Sequence, residues 1–199
     1  MITRERSEAY NEALEVFIHY WGKMSSEWGI NKTMAQVYAL LFAEDEPMDT
    51  DTIMLELNIS RGNANMNLRN LIQWGLIHKV NIKGDRKDYY TSETDIWNMA
   101  AKIIDERRRK EITPIKKTLD NCSNILENAK EETDDVKQFK DKIEAFKVFL
   151  TLFNDFAEAV LPYISDKNVD QIKGIVQMAT MHKQQMDIEE NRLQESDVK

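Results

Sequence analysis

ISRGNANMNLRNLIQWGLIHKVNIKGDRKDYY, residues 59–90, divides into a helix and a hairpin by elementary rules. Ser60 offers a side-chain oxygen to the free amides of a helix opening at Arg61, and Gly75 suits the left-handed backbone that ends a helix at Trp74. Within that helix Ala64, Leu68, Leu71, Ile72 and Gly75 fall on one side and are expected to pack inward. Beyond it, Leu76 to Ile82 reads as a strand with Val80 and Ile82 on one face. Tyr89 to Thr91 returns antiparallel around a tip of Lys83, Gly84, Asp85, Arg86 and Lys87.

The remaining face of the helix carries Arg61, Gly62, Asn63, Asn65, Met66, Asn67, Arg69, Asn70 and Gln73, and none of these is acidic. Asn is a poor helix former, so four of them in one helix need a reason other than helix stability. Carboxamides read adenine edges, Arg reads guanine or phosphate, and Gly62 in the first turn permits close approach of a backbone. The capped helix start also presents amides to a phosphate. A solvated polar face is the plain alternative, and the basic tip that follows directly argues against it. Such a tip lays Arg86 in or beside a narrow minor groove, with Asp85 orienting Arg86 or shaping the turn.

Working upstream, Tyr10, Leu14, Phe17, Trp21, Met24 and Trp28 form the stripe of an amphipathic helix with Gly29 as its C-terminal cap. Thr33 can cap a second helix that carries Val37, Tyr38, Leu41 and Phe42 and ends in the acidic run before Pro47. A short third helix, about Thr50 to Leu57, packs Ile53 and Leu57 ahead of the turn at Asn58 and Ile59. Downstream, a helix from about Asp95 passes Pro114, which kinks or interrupts it. Ile112, Ile115, Leu119, Cys122, Leu126 and Ala129 then repeat like a coiled-coil seam. After a polar EETDD connection at 131–135 comes the most apolar helix, with Val136, Phe139, Ile143, Phe146, Phe149, Phe153, Phe156 and Val160, stopped by Pro162. Such a helix must be covered by something. A last helix spans about Asn168 to Met186, and the charged remainder from Asp187 is expected to fray.

Composition sets the outer bounds. The chain has 199 residues, 42% hydrophobic and 31% charged, with six Gly and three Pro, which favours long helices and few turns. Net charge is -8, yet residues 58–90 hold six bases and two acids, a basic island in an acidic protein. One cysteine, Cys122, excludes an internal disulfide; it is either a redox sensor or a small buried residue. His19, His78 and His182 are scattered, and only His19 has a carboxylate, Glu15, one turn away, so no metal site is expected. His78 reads equally as a phosphate contact or as half-buried beside the sheet. No signal core or membrane span is visible, and a cytoplasmic protein is expected. With no nucleophile triad, phosphate loop or cofactor motif, neither an enzyme nor a cofactor is expected.

The segment Ile59–Tyr90 resembles MarR-type winged-helix repressors, and specifically their GbsR-like branch, through its SRGN opening, NLRNLIQWGLI body and GDRKDYY wing. The preceding LLFAEDEPMDTDTIMLELN resembles that branch's second and third helices, so the likeness covers about residues 30–92. It implies a homodimer on double-stranded, pseudo-palindromic operator DNA. Ser60, Arg61, Gly62, Asn63, Asn65, Met66 and Arg69 would serve the major groove and nearby phosphates, and Lys83, Arg86 and Lys87 the wing contacts; Asn70 and Gly84 complete the expected DNA-binding set. Where relatives often show a hydroxyl or basic residue this helix has Asn65 and Met66, so the operator sequence does not carry over.

The expected fold is therefore mostly α: a winged helix-turn-helix within residues 1–94 and a long-helix dimerisation region, with room for an effector, over 95–199. The expected function is sequence-specific transcription regulation, by default repression, with a winged-helix protein-interaction module as the alternative. GbsR-like regulators include ones that sense choline, and aromatic boxes bind quaternary ammonium ions. The Phe row at 139, 146, 149, 153 and 156, with Trp21, Trp28 or Trp97, is thus either a choline-like effector box or simply core and interface. Arg107 to Lys110 reads more simply as a self-paired solvated face than as a phosphate contact.

Overall fold

The computed structural model describes residues 6–128 and 133–197, with side chains to Met186. Ala129 of the expected seam and Glu131 and Glu132 of the expected connection lie outside them. The chain divides into two compact units, Met1–Lys102 and Ile103–Lys199.

In the first unit α1 (Glu8–Glu27), α2 (Lys32–Ala43), β1 (Met48–Asp49), α3 (Thr50–Leu57), α4 (Arg61–Gln73), β2 (Ile77–Val80) and β3 (Tyr89–Ser92) follow in order, and α5 (Ile96–Arg107) begins. The helix starts follow from local chemistry. Ser7, Asn31, Asp49 and Ser60 each accept a backbone N–H three residues on, which satisfies one of the amides every helix start leaves open. Asn31 rather than Thr33 caps α2, because its oxygen reaches the Met34 amide at 3.0 Å. Gly29 and Gly75 take the left-handed backbone that ends α1 and α4.

Val37, Leu40, Leu41, Ile53, Leu68, Leu71 and Ile77 are almost fully buried and form the core between α2, α3, α4 and the sheet. Full burial of such a side chain stabilises by roughly 1.5–3 kcal/mol. One expected core member, Ile72, lies outside it and is exposed, and Ile82, expected on one strand face with Val80, is exposed as well. Ile72 sits on the edge of the inward stripe of α4, and Ile82 lies beyond the last ladder pair of β2.

The sheet has three antiparallel strands in the order β1-β3-β2. Its outer strand, β1, has two residues and no alternation to betray it; Met48 pairs with Tyr90 and Asp49 with Tyr89. That pairing sets Asp49 beside the start of the wing's return strand.

The second unit holds the rest of α5, a π-turn at Arg108–Ile112, α6 (Thr113–Asn128), α7 (Asp134–Ser165) and α8 (Val169–Asp197). The π-turn ends at Ile112, two residues before Pro114. A proline ring crowds the carbonyl four residues back and lacks the N–H that carbonyl needs, and a wider turn relieves both. Pro162 does not stop α7, which runs on to Ser165 and closes with Asp166 N–H donating to Pro162 O at 2.9 Å. The backbone of α8 continues past Met186 to Asp197, where fraying was expected.

On α7, Ile143, Leu150 and Ala157 are buried at seven-residue spacing. The neighbouring stripe of Phe139, Phe146, Phe149, Phe153 and Phe156 is exposed, from 44% to 63%. The covering expected for this helix is therefore only half supplied among the described residues.

Candidate nucleic-acid interface

The helix-turn-helix core presents α4 with Arg61, Gly62, Met66, Arg69 and Gln73 exposed and Asn63, Asn65 and Asn70 half-buried. Ser60 Oγ accepts from the Asn63 amide at 3.3 Å, so the helix start is capped as its sequence suggests. A Cβ at Gly62 would meet nothing within 4 Å, so the protein's own packing does not require glycine there.

Asn67 belongs to the other side. It is fully buried, and its Nδ2 donates to Asn63 O at 2.9 Å and to Asn63 Oδ1 at 2.7 Å. Its own Oδ1 has no partner among the described residues. The row of amides on this helix thus splits, one member holding another from beneath.

Between β2 and β3 the wing turns at Gly84, whose φ of 90° is the left-handed region glycine tolerates. Asp85 shapes this turn and does not reach for the Arg86 side chain. Its Oδ1 accepts from Lys87 N–H at 2.9 Å and its Oδ2 from the Tyr89 hydroxyl at 2.8 Å. The Lys87 amide and the Tyr89 hydroxyl hold the Asp85 carboxyl below its ordinary range, and that carboxylate in turn raises Tyr89. Lys79 pairs with Asp88 at 2.8 Å across the hairpin, and His78 is exposed on β2.

The expected cations separate into two groups. Arg69, Lys83 and Arg86 are exposed and form no ion pair among the described residues. Arg61 and Lys87 are engaged: Arg61 Nη2 meets Asp51 Oδ1, while Lys87 Nζ meets Asp49 Oδ2 and, at 3.1 Å, Asp51 Oδ2.

Asp49 is buried, and its other oxygen accepts from the Thr52 amide at 2.8 Å and hydroxyl at 2.7 Å. Burial pushes its carboxyl up, but the Lys87 ammonium and the two Thr52 donors outweigh that and leave it below the usual value. Lys87 is raised, first by Asp49 and then by Asp51.

Sequence reasoning missed Asp49, Asp51 and the inward turn of Asn67. The signal for Asp49 was legible, since an Asp directly before a helix opening at Thr50 is a good cap.

The run Arg107 to Lys110 is self-paired: Arg107 with Glu111, Arg109 with Asp105 and Glu106, Lys110 with the buried Glu106. Arg108 also donates to Asn154 at 2.6 Å and Glu158 at 2.7 Å on α7, which commits it to packing.

Trp21 stacks on Tyr38 at 6.4 Å and touches Phe17 at 5.4 Å, so its ring is used within the first unit. Trp28 and Trp97 are exposed, and Phe146 and Phe149 make the ring pair of the Phe row at 6.4 Å. Cys122 is half-buried with a free thiol. Among the described residues, no group of His, Cys, Asp and Glu could hold a metal, and no helix is long and apolar enough to cross a membrane.

Three helices, a capped second helix of the turn and a three-stranded wing define a winged helix-turn-helix. Residues 24–94 match the family described as sugar-specific transcriptional regulator TrmB, a family of regulators and not of enzymes. A solved structure of a transcriptional regulator is 20% identical with a TM-score of 0.62, covering 77% of this chain and 99% of that one. That likeness carries the fold. A MarR transcriptional regulator from Methanosarcina mazei Go1 is 17% identical over 73% of this chain and 99% of its own, with a TM-score of 0.32. The transcriptional regulator Tm0710 from Thermotoga maritima is 18% identical over 69% and 94%, with a TM-score of 0.33. No curated protein matches the chain.

Proposed function

We propose that this chain is a sequence-specific DNA-binding regulator of transcription, acting as a homodimer and by default as a repressor. The observation that carries the reading is the cationic ridge of α4 and wing, where Arg69, Lys83 and Arg86 stay exposed without an internal carboxylate among the described residues. On this reading α4 enters the major groove with Arg61, Asn63, Asn65, Met66, Arg69 and Asn70. Ser60 and Gly62 admit a phosphate at the helix start, and Lys83, Gly84 and Arg86 lie along the neighbouring minor groove. Lys87 serves first as a brace at the base of the wing.

The homodimer rests on α7. Phe139, Phe146, Phe149, Phe153 and Phe156 repeat with the 3–4 spacing of a coiled-coil seam, and a monomer rarely leaves so continuous an apolar stripe in water. A second copy covers it and fixes two recognition helices about one DNA turn, ~34 Å, apart. A small-molecule effector that alters that separation would release DNA. The family description favours a sugar, and the GbsR-like resemblance a choline-like cation.

The test is binding of operator-length duplex from the region upstream of the chain's own gene, at several salt concentrations. Affinity should fall steeply as salt rises, and neutralising Arg69 and Arg86 together should flatten the slope by roughly two phosphates' worth. Absent or salt-independent binding would return the fold to a protein-interaction role.

A further inference from the structure

Asp51 bridges two of the cations expected to face DNA, Arg61 and Lys87. It lies in the first turn of α3, is 44% exposed at its side chain, and receives one cation on each oxygen from two different elements. Arg61 comes from the first turn of α4 and Lys87 from the base of the wing. Two oxygens bridging an Arg of the recognition helix and a Lys of the wing is the geometry a backbone phosphate makes on such a surface. A window along the sequence misses this, because Asp51 lies ten residues before Arg61 and 36 before Lys87.

The neighbouring Asp49 separates the two roles. It is buried, caps α3 and takes Lys87 as well, so the wing keeps an anchor without Asp51. Asp51 caps nothing among the described residues, and its partners are open to water, Arg61 being 62% exposed and Lys87 43%. Ion pairs so exposed contribute little to folding. Their carboxylate would nevertheless repel a phosphate arriving at the same two cations.

Resting on the DNA-binding reading above, we infer that Asp51 is an internal stand-in for phosphate, which holds Arg61 and Lys87 in the free protein and is exchanged for the DNA backbone on docking. Asp51 thereby restrains affinity for duplex DNA in general. It is a positioning residue that sets the threshold for binding and reads no base.

The experiment compares wild type, Asp51→Asn, Asp51→Glu and Arg61→Gln/Asp51→Asn in full-length protein. The readout is the affinity for a random-sequence duplex as a function of salt. Asp51→Asn should bind about fivefold more tightly at 0.15 M salt, with a log–log slope close to that of wild type, since both proteins neutralise the same phosphates once docked and only wild type must first break its internal pairs. Asp51→Glu should keep wild-type values, and the double variant should lose most of the gain. Asp51→Ser repeats the measurement should Asp51→Asn melt early.

If wild type binds duplex and the neutral variants bind no more tightly, or more weakly, Asp51 serves the contact and the inference is overturned alone. If wild type binds no duplex at all, the DNA reading falls and takes this one with it.

Discussion

Tyr38 on α2 donates its phenolic hydrogen to the backbone carbonyl of Glu93, 2.7 Å away and 55 residues later in the chain. The bond ties the centre of the helical core to the segment leaving β3, where Lys102 reaches both the Glu93 carboxylate at 2.9 Å and Gly75 O at 2.8 Å. The end of α4 and the end of the wing are thus held by one small cluster, which sets α4 against the hairpin.

Tyr38→Phe removes that bond and leaves a partly buried carbonyl without its donor, which should cost about 1 kcal/mol of stability at neutral pH. Burial first, and then the nearby Glu93 charge, raises the Tyr38 hydroxyl well above its ordinary value. The folded state therefore keeps this proton when the unfolded chain begins to lose it near pH ~10, and the stabilisation from Tyr38 falls as pH rises further. Denaturant unfolding of both proteins at pH 8 and pH 11 checks this, and the gap between them should narrow at the higher pH.

Asp49→Ala removes the cap of α3 and the anchor of Lys87 together. A lost Asp cap alone costs about 0.5–2 kcal/mol, and the braced wing should add to it, visible as faster amide exchange in residues 83–88. Because the folded Asp49 carboxyl lies below its ordinary range, its contribution is complete above pH ~4 and disappears as pH falls through the lower, folded value. The difference in melting temperature between wild type and variant should accordingly shrink between pH 6 and pH 3.

These residues mark where sequence reading ended. The helix starts at Arg61 and Thr50, the left-handed closures at Gly29 and Gly75, and the hairpin of Val80 and Tyr89 are local events, each decided within a few residues by capping, backbone freedom or alternation. β1 was invisible because two residues carry no period and owe their strand to Tyr89 and Tyr90, about forty residues away. Asp49 meets Lys87 beside that same long-range pairing, and Asp51 meets Arg61 because α3 packs on α4. Asn67 was misplaced for another reason: a wheel that sorts residues by polarity sends every Asn outward, whereas this one is buried by its angular position beside Ala64, Leu68 and Leu71.

Phe149→Glu with Phe156→Glu tests the open seam of α7. Both side chains are at least 60% exposed in the single chain, so the monomer should lose little stability, within about 0.5 kcal/mol. Self-association, measured by sedimentation equilibrium, should weaken by at least about tenfold, since a desolvated aromatic at an interface commonly contributes more than 1 kcal/mol. Leu150→Ala is the contrasting change. It empties a buried position of the same helix and should cost roughly 2–4 kcal/mol in folding.

Asn67 allows the sharpest test of how α4 is built, because two substitutions of similar size should differ widely in cost. Asn67→Leu removes an acceptor that has no partner among the described residues and leaves the half-exposed Asn63 to water. The gain from losing an orphaned polar atom is set against crowding by the larger side chain, and stability should stay within about 1 kcal/mol of wild type. Asn67→Asp keeps the volume but turns a donor into a carboxylate facing two oxygens of Asn63, and should lose about 3 kcal/mol or more at pH 7. Protonation restores a donor, so the new carboxyl should titrate above its ordinary value in the folded state, and the loss should diminish as pH falls towards 5. Equal penalties for the two variants at every pH would mean that Asn67 is held by shape alone and not by its two bonds to Asn63.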